Sequence, residues 1–139
     1  MNSIQTHSPQ ETKNFAKKYA KKLRGGEVLA LYGELGSGKT TFTQGLTLGL
    51  GIKKRVISPT FVIMRDYAIP QKSYRLYHLD LYRINNALDI KSFDFHELVE
   101  EGNNIIVIEW PEKIEKLIPK HAKKFKFTQK SENSRQITY

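Results

Sequence analysis

The sequence contains no cysteine, which excludes disulfides, thiolate metal sites and a cysteine nucleophile. No apolar run approaches the roughly 20 residues that a membrane helix needs. The opening stretch MNSIQTHSPQETKN lacks the apolar centre of a secretory signal. The expectation is therefore a soluble, cytoplasmic protein with no membrane association. There is no N-K-x-D motif for guanine, which disfavours a GTPase, and no aromatic RNP pattern of an RNA-binding sheet. Internal repeats and linkers are also missing. With 139 residues, one core is expected, and a single domain spanning 1–139.

What is present is the composition of a packed protein, 39% hydrophobic and 11% aromatic, well clear of disorder. The formal net charge is +9, from 23 Lys and Arg against 14 Asp and Glu. A balance of that size can draw a protein towards nucleic acid. The lysines, however, are spread along the chain, from Lys17 and Lys18 to Lys124 and Lys126. Charge alone does not make this an RNA-binding protein, and a solvated basic surface accounts for it.

Ser8-Pro9-Gln10-Glu11 is a capping box with proline at the first helical position. Phe15, Tyr19 and Leu23 follow at intervals of four, so a helix is expected from there to Gly25-Gly26. Val28 to Tyr32 reads as a buried parallel strand. Phe42, Leu46 and Leu50 share one face of a second helix that stops at Gly49–Gly51. A hairpin is expected between Phe61 and Leu79, turning at Pro70. Ile105–Ile108 forms another buried strand ending at Glu109, and a short helix over 112–118 follows Trp110-Pro111. The tail, KFKFT and RQITY around SENS, reads as an exposed edge hairpin.

Between the first buried strand and the second helix lies GELGSGKT, residues 33–40. The spacing G-x-x-x-x-G-K-[ST] in that context is the Walker A pattern. Gly36 and Gly38 permit the backbone to curl its amides around an anion, at a helix N-terminus where the dipole favours negative charge. Lys39 is placed for the β- and γ-phosphates, and Thr40 offers a hydroxyl to Mg²⁺. A glycine-rich turn that binds nothing would not need the lysine and threonine.

Hydrolysis also needs an acid to hold the cation and orient water. Glu109 ends NIIVIE, a hydrophobic run closed by an acid as in a Walker B strand. Asp80 ends RLYHLD, and there the residues leave function and ordinary surface charge equally open. Glu97, Glu100 and Glu101 fall on helical or loop stretches and read as surface charges.

Four motifs in order, GELGSGKTT at 33–41, SPTF at 58–61, HLDLYR at 78–83 and IEWPE at 108–112, give the chain a close resemblance to the TsaE (YjeE) family of small ATPases. The resemblance covers nearly the whole chain, up to Pro119. It implies a three-layer α/β P-loop NTPase fold with a mixed, mostly parallel central sheet and added antiparallel strands. It implies an ATPase using ATP and Mg²⁺ that works with TsaD and TsaB to make N6-threonylcarbamoyladenosine at position 37 of tRNAs reading codons that begin with A. Contact with tRNA would be indirect, through that complex. Carried over by position, Leu35, Gly36, Ser37, Gly38, Lys39 and Thr40 go to the ATP phosphates, flanked by Glu34 and Thr41. Thr40 and Glu109, the Walker B acid, go to Mg²⁺. Asp80 becomes the second important acid, near Mg²⁺ and the γ-phosphate. Thr60 lies on a switch-like loop approaching the γ-phosphate, and Lys39, Asp80, Glu109 and Thr60 form the expected catalytic set. Trp110 falls beside the site, and Ser8 to Glu11 near the adenine.

The sequence departs from the family pattern after HLDLYR. An acidic D-P-E-E stretch is replaced by Ile84–Asp89, and Asp94 stands where a glycine is usual, so any contacts of that segment do not carry over. Two other classes share the phosphate loop. A small-molecule kinase would need an arginine-bearing lid and an acceptor pocket, for which 139 residues leave little room. An ATP-dependent binding module would use the nucleotide to control docking, with negligible turnover. The residues alone also leave open how Asp80 and Glu109 divide cation holding and water positioning.

Overall fold

Four apolar residues in a row, Val28–Leu31, are almost wholly shielded from solvent, as in a strand covered on both faces. In the computed structural model, which describes residues 1–57, 63–85 and 95–139, they begin the strand at the centre of the sheet. The elements in chain order are β1 (Ser3–Thr6), α1 (Pro9–Ala20), β2 (Val28–Tyr32), α2 (Lys39–Gly49), β3 (Met64–Ala68) and β4 (Arg75–Asp80), then α3 (Phe95–Glu100), β5 (Ile105–Glu109), a 3₁₀ segment (Pro111–Leu117), β6 (Lys123–Gln129) and β7 (Arg135–Thr138). The strands form one sheet in the order β1-β7-β6-β2-β5-β4-β3. Its central four, β6, β2, β5 and β4, run parallel. Strand β3 is added antiparallel at one side, and β7 and β1 at the other. This is the mixed sheet with a parallel centre expected of a P-loop NTPase fold.

Side-chain alternation divides the sheet into two covered faces. Leu29, Leu31, Leu76, Ile105 and Val107 pack with Ala16, Ala20, Phe42 and Leu46 of α1 and α2. Val28, Leu79, Ile106 and Ile108 pack on the other face with Phe95 and Leu98 of α3 and Ile114 of the 3₁₀ segment. The two long helices meet closely because Gly45 and Gly49 of α2 lie against Ala16 and Ala20 of α1. A Cβ on Gly45 would stand 2.4 Å from the Lys13 carbonyl oxygen and 2.8 Å from Ala16 Cβ.

Helix α1 starts as its capping box requires, with Ser8 Oγ accepting from the Glu11 N–H at 3.1 Å. It stops at Ala20, earlier than the glycine pair led us to expect, because Lys21 to Leu23 continue only as a turn closed by bonds to Lys18, Tyr19 and Ala20 carbonyls. The tail is also corrected. Strand β6 is interior, pairing parallel with β2, and β7 pairs with β1. Phe125 and Phe127, on alternate residues, insert into the α1–α2 core, and that burial holds the hairpin in the sheet. Strand β1 was too short and polar to be read from sequence. The first hairpin has its strands at 64–68 and 75–80, the second ending one residue past the expected Leu79.

Candidate functional site

The parallel strands β2, β4 and β5 end at the same edge of the sheet, at Tyr32, Asp80 and Glu109. Ligands of open parallel sheets bind outside that carboxyl edge. The segment 33–38 leaves β2 there and turns straight into α2. Gly36 and Gly38 have φ of +78° and +108°, in a region that glycine, having no Cβ, enters at low cost. Gly38 is the N-cap of α2, and no side chain caps that helix. Its first-turn amides therefore have no partner within the helix and face the loop. Glu34, Leu35 and Gly36 are exposed, whereas Ser37 is buried.

Lys39, at the first turn of α2, is 4% exposed. Its ammonium donates to the Gly33 carbonyl and lies 3.7 Å from the centroid of the Trp110 ring. Burial pushes the Lys39 pKa below the usual lysine value, with Glu109, Glu112, Asp80 and Glu34 pulling the other way. Trp110 reaches this position because its backbone is left-handed, φ +60°, so the chain turns as soon as Glu109 has ended β5. Tyr82 packs on the same indole, ring centroids 5.0 Å apart.

Thr40 Oγ donates to Glu109, 3.1 Å from each carboxylate oxygen. Glu109 is itself only 3% exposed. Asp80 is the register partner of Glu109 on neighbouring parallel strands. The parity that puts Leu76 and Val107 on the α2 side puts both acids there too. Asp80 Oδ1 accepts from the Tyr82 N–H at 3.1 Å. The structure thus brings Gly36, Gly38, Lys39, Thr40, Thr41, Asp80, Glu109 and Trp110 around one cavity of about 560 Å³. Ser8, Pro9 and Thr12 at the start of α1 line the same cavity. Thr60 and the SPTF motif lie outside the described residues, as does most of the divergent stretch through Asp94.

A family model described as threonylcarbamoyl adenosine biosynthesis protein TsaE matches residues 6–137. The chain belongs to the TsaE family. It is 37% identical to the tRNA threonylcarbamoyladenosine biosynthesis protein TsaE of Bacillus subtilis, over 96% of this chain and 82% of that protein. It is 33% identical to the TsaE of Treponema pallidum, over 96% of both chains. The crystal structure of Bacillus subtilis YdiB superimposes with a TM-score of 0.75 at 32% identity, covering 98% of this chain and 82% of that one.

Within this TsaE fold, some cavity residues had no signal in the sequence. Glu132 and Asn133 come from the β6–β7 turn and Arg135 from the first position of β7, in a tail that matches no motif. Arg135 Nη2 donates to the Gly36 carbonyl at 3.1 Å, while Nη1 holds the carbonyls of Ser131, Glu132 and Ser134. The guanidinium therefore ties the hairpin tip to the 33–38 loop. His78 lies inside a quoted motif, and its two-residue spacing from Asp80 already puts both side chains on one strand face. Its Nε2 is 2.6 Å from Glu109 Oε2. Among the described residues no helix is long and apolar enough to cross a membrane.

Proposed function

We propose that this chain is a Mg²⁺-dependent ATP hydrolase serving N6-threonylcarbamoyladenosine formation in tRNA, cytoplasmic, folded as one domain over 1–139, and hydrolysing ATP on a TsaD–TsaB complex. The observation that carries the reading is the convergence of an uncapped helix N-terminus, Lys39 and the Thr40–Glu109 pair on one cavity. Family membership supplies the tRNA modification, since the relatives bear that name.

The residues fit the two groups. Backbone amides at the start of α2 and the Lys39 ammonium are donors suited to a triphosphate. Mg²⁺ is usually held by one or two carboxylates together with substrate phosphates and water. A threonine hydroxyl beside a buried carboxylate, with Asp80 on the neighbouring strand, suits that donor set. Among the described residues no group of three His, Cys, Asp or Glu could hold a metal by itself, as expected for a cation that relies on phosphate ligands. The bound cation supplies charge neutralisation at phosphate oxygens.

In this reading Glu34 to Thr41 bind the nucleotide, Lys39 adds a point charge to the phosphates, and Thr40, Glu109 and Asp80 hold the cation. Asp80 or Glu109 orients water, and Thr60 contacts the terminal phosphate. Ser8, Pro9 and Thr12 form the wall on the nucleoside side. The Trp110 and Tyr82 rings exclude water from the ammonium. Among the described residues, Arg83 and Arg135 are the arginines that line the cavity, and P-loop proteins turn over slowly until a partner completes the transition-state donors of the site. The test is phosphate release from ATP by the purified chain with and without TsaD–TsaB. Slow release that the complex accelerates is expected. Equal rates would remove the partner dependence, phosphorylation of a metabolite would make the protein a kinase, and no calorimetric heat with millimolar ATP and Mg²⁺ would end the phosphate-loop reading.

A further inference from the structure

His78 is fully buried on β4, 0% exposed, in a sheet face otherwise filled by Leu76, Ile105 and Val107. An imidazole there loses its hydration, and a buried polar group is tolerated where it is bonded. Its Nε2 lies 2.6 Å from Glu109 Oε2, whereas its Nδ1 is buried with no partner among the described residues. The arrangement is best satisfied with the proton on Nε2, donated to the carboxylate, and only a lone pair on Nδ1.

The sheet register explains how this contact arises. His78 pairs with Val107, and Asp80 with Glu109, so His78 sits one same-face step behind Glu109 on the adjacent strand and reaches it diagonally. Glu109 is thereby held from two sides, by Thr40 at the cavity and by His78 from the core. Of these two donors only Thr40 is also a candidate cation ligand. His78 bonds Oε2, leaving Oε1 shared with Thr40 alone among the bonds described.

We propose that His78 is a positioning residue that fixes the Glu109 carboxylate, and so sets the affinity of the site for its divalent cation. The inference rests on the reading that Glu109 holds that cation. Outer partners of ligating groups commonly alter metal affinity by roughly 10- to 100-fold when removed.

The test is binding of Mn²⁺, as a spectroscopic substitute for Mg²⁺, to the full chain with ADP, followed by electron paramagnetic resonance. ADP affinity in EDTA and thermal melting are measured alongside. His78→Gln places an amide N–H near the position of Nε2, whereas His78→Asn places it nearer Nδ1, short of Glu109. The expected result is Mn²⁺ affinity within a few-fold of wild type for Gln and a loss of roughly 10- to 100-fold for Asn, with ADP affinity in EDTA unchanged in both. Equal Mn²⁺ affinities for Gln and Asn, whether both retained or both lost, would overturn the positioning role. If the wild-type protein binds no Mn²⁺ with ADP, the failure lies instead in assigning the cation to Glu109.

Discussion

Replacing Lys39 by methionine separates what the fold wants from what the site wants. Lys39 is 4% exposed as a whole residue, with its ammonium at the wall of the cavity, and the effective cost of fully burying such an ion is several kcal/mol. Against that stand one charge-assisted bond to the Gly33 carbonyl, about 1.5–3 kcal/mol, the face of Trp110, about 1–2 kcal/mol, and the attraction of Glu109, Glu112, Asp80 and Glu34. The lowered Lys39 pKa, caused first by burial, says that desolvation wins this comparison. The sign follows from proton linkage. A lysine whose folded pKa lies below its unfolded value binds fewer protons when folded, so its charge costs stability at all pH below the folded pKa. The cost is relieved as pH rises from there towards the unfolded value of 10.5. Lys39→Met keeps the length of the side chain and removes the charge. We expect its unfolding free energy at pH 7 to rise by about 1 kcal/mol, roughly 2–5 °C in melting temperature at this size. ATP affinity should fall about 100- to 1,000-fold, from losing two phosphate contacts of about 1.5–2 kcal/mol each. Denaturant unfolding and calorimetric titration measure the two quantities. A variant destabilised by more than about 1 kcal/mol, or one that binds ATP like wild type, refutes the reasoning.

Three further outcomes are expected. Glu109→Ala should retain nucleotide binding in EDTA while losing most turnover, because the loop donors remain and the cation loses its buried carboxylate; unchanged phosphate release would take Glu109 out of the mechanism. Gly45→Ala should lower stability by about 1–3 kcal/mol in a melting experiment despite the better helix propensity of alanine, since the new Cβ meets the Lys13 backbone; a gain in melting temperature would mean that the helices part freely. Arg135→Ala should weaken ATP binding several-fold with little change in melting, as it releases the hairpin tip from the Gly36 carbonyl. An unaltered dissociation constant would confine Arg135 to holding its own turn.

The sequence by itself determined the local chemistry. The spacing of Gly33, Gly38, Lys39 and Thr40 specifies the turn from β2 into α2, because that order puts glycine where φ is positive and a cation at the start of the helix. The runs VLALY and IIVI specify buried strands, since no other element hides so many consecutive apolar residues at that length, and Ser8-Pro9 specifies where α1 begins. Thr60 was legible as a candidate, but it lies outside the described residues. Tertiary structure decided what long-range pairing controls. The β6–β7 hairpin reads as an exposed edge because its lysines alternate with phenylalanines, yet β6 lies beside β2, and a partner strand cannot be read from a one-dimensional pattern. The same pairing delivers Arg135 to a loop 99 residues away. Likewise, strand parity makes His78 and Glu109 candidates for the inner face, but only the parallel register of β4 on β5 puts the imidazole against the carboxylate, because a one-residue slip turns a strand's side chains to the opposite face.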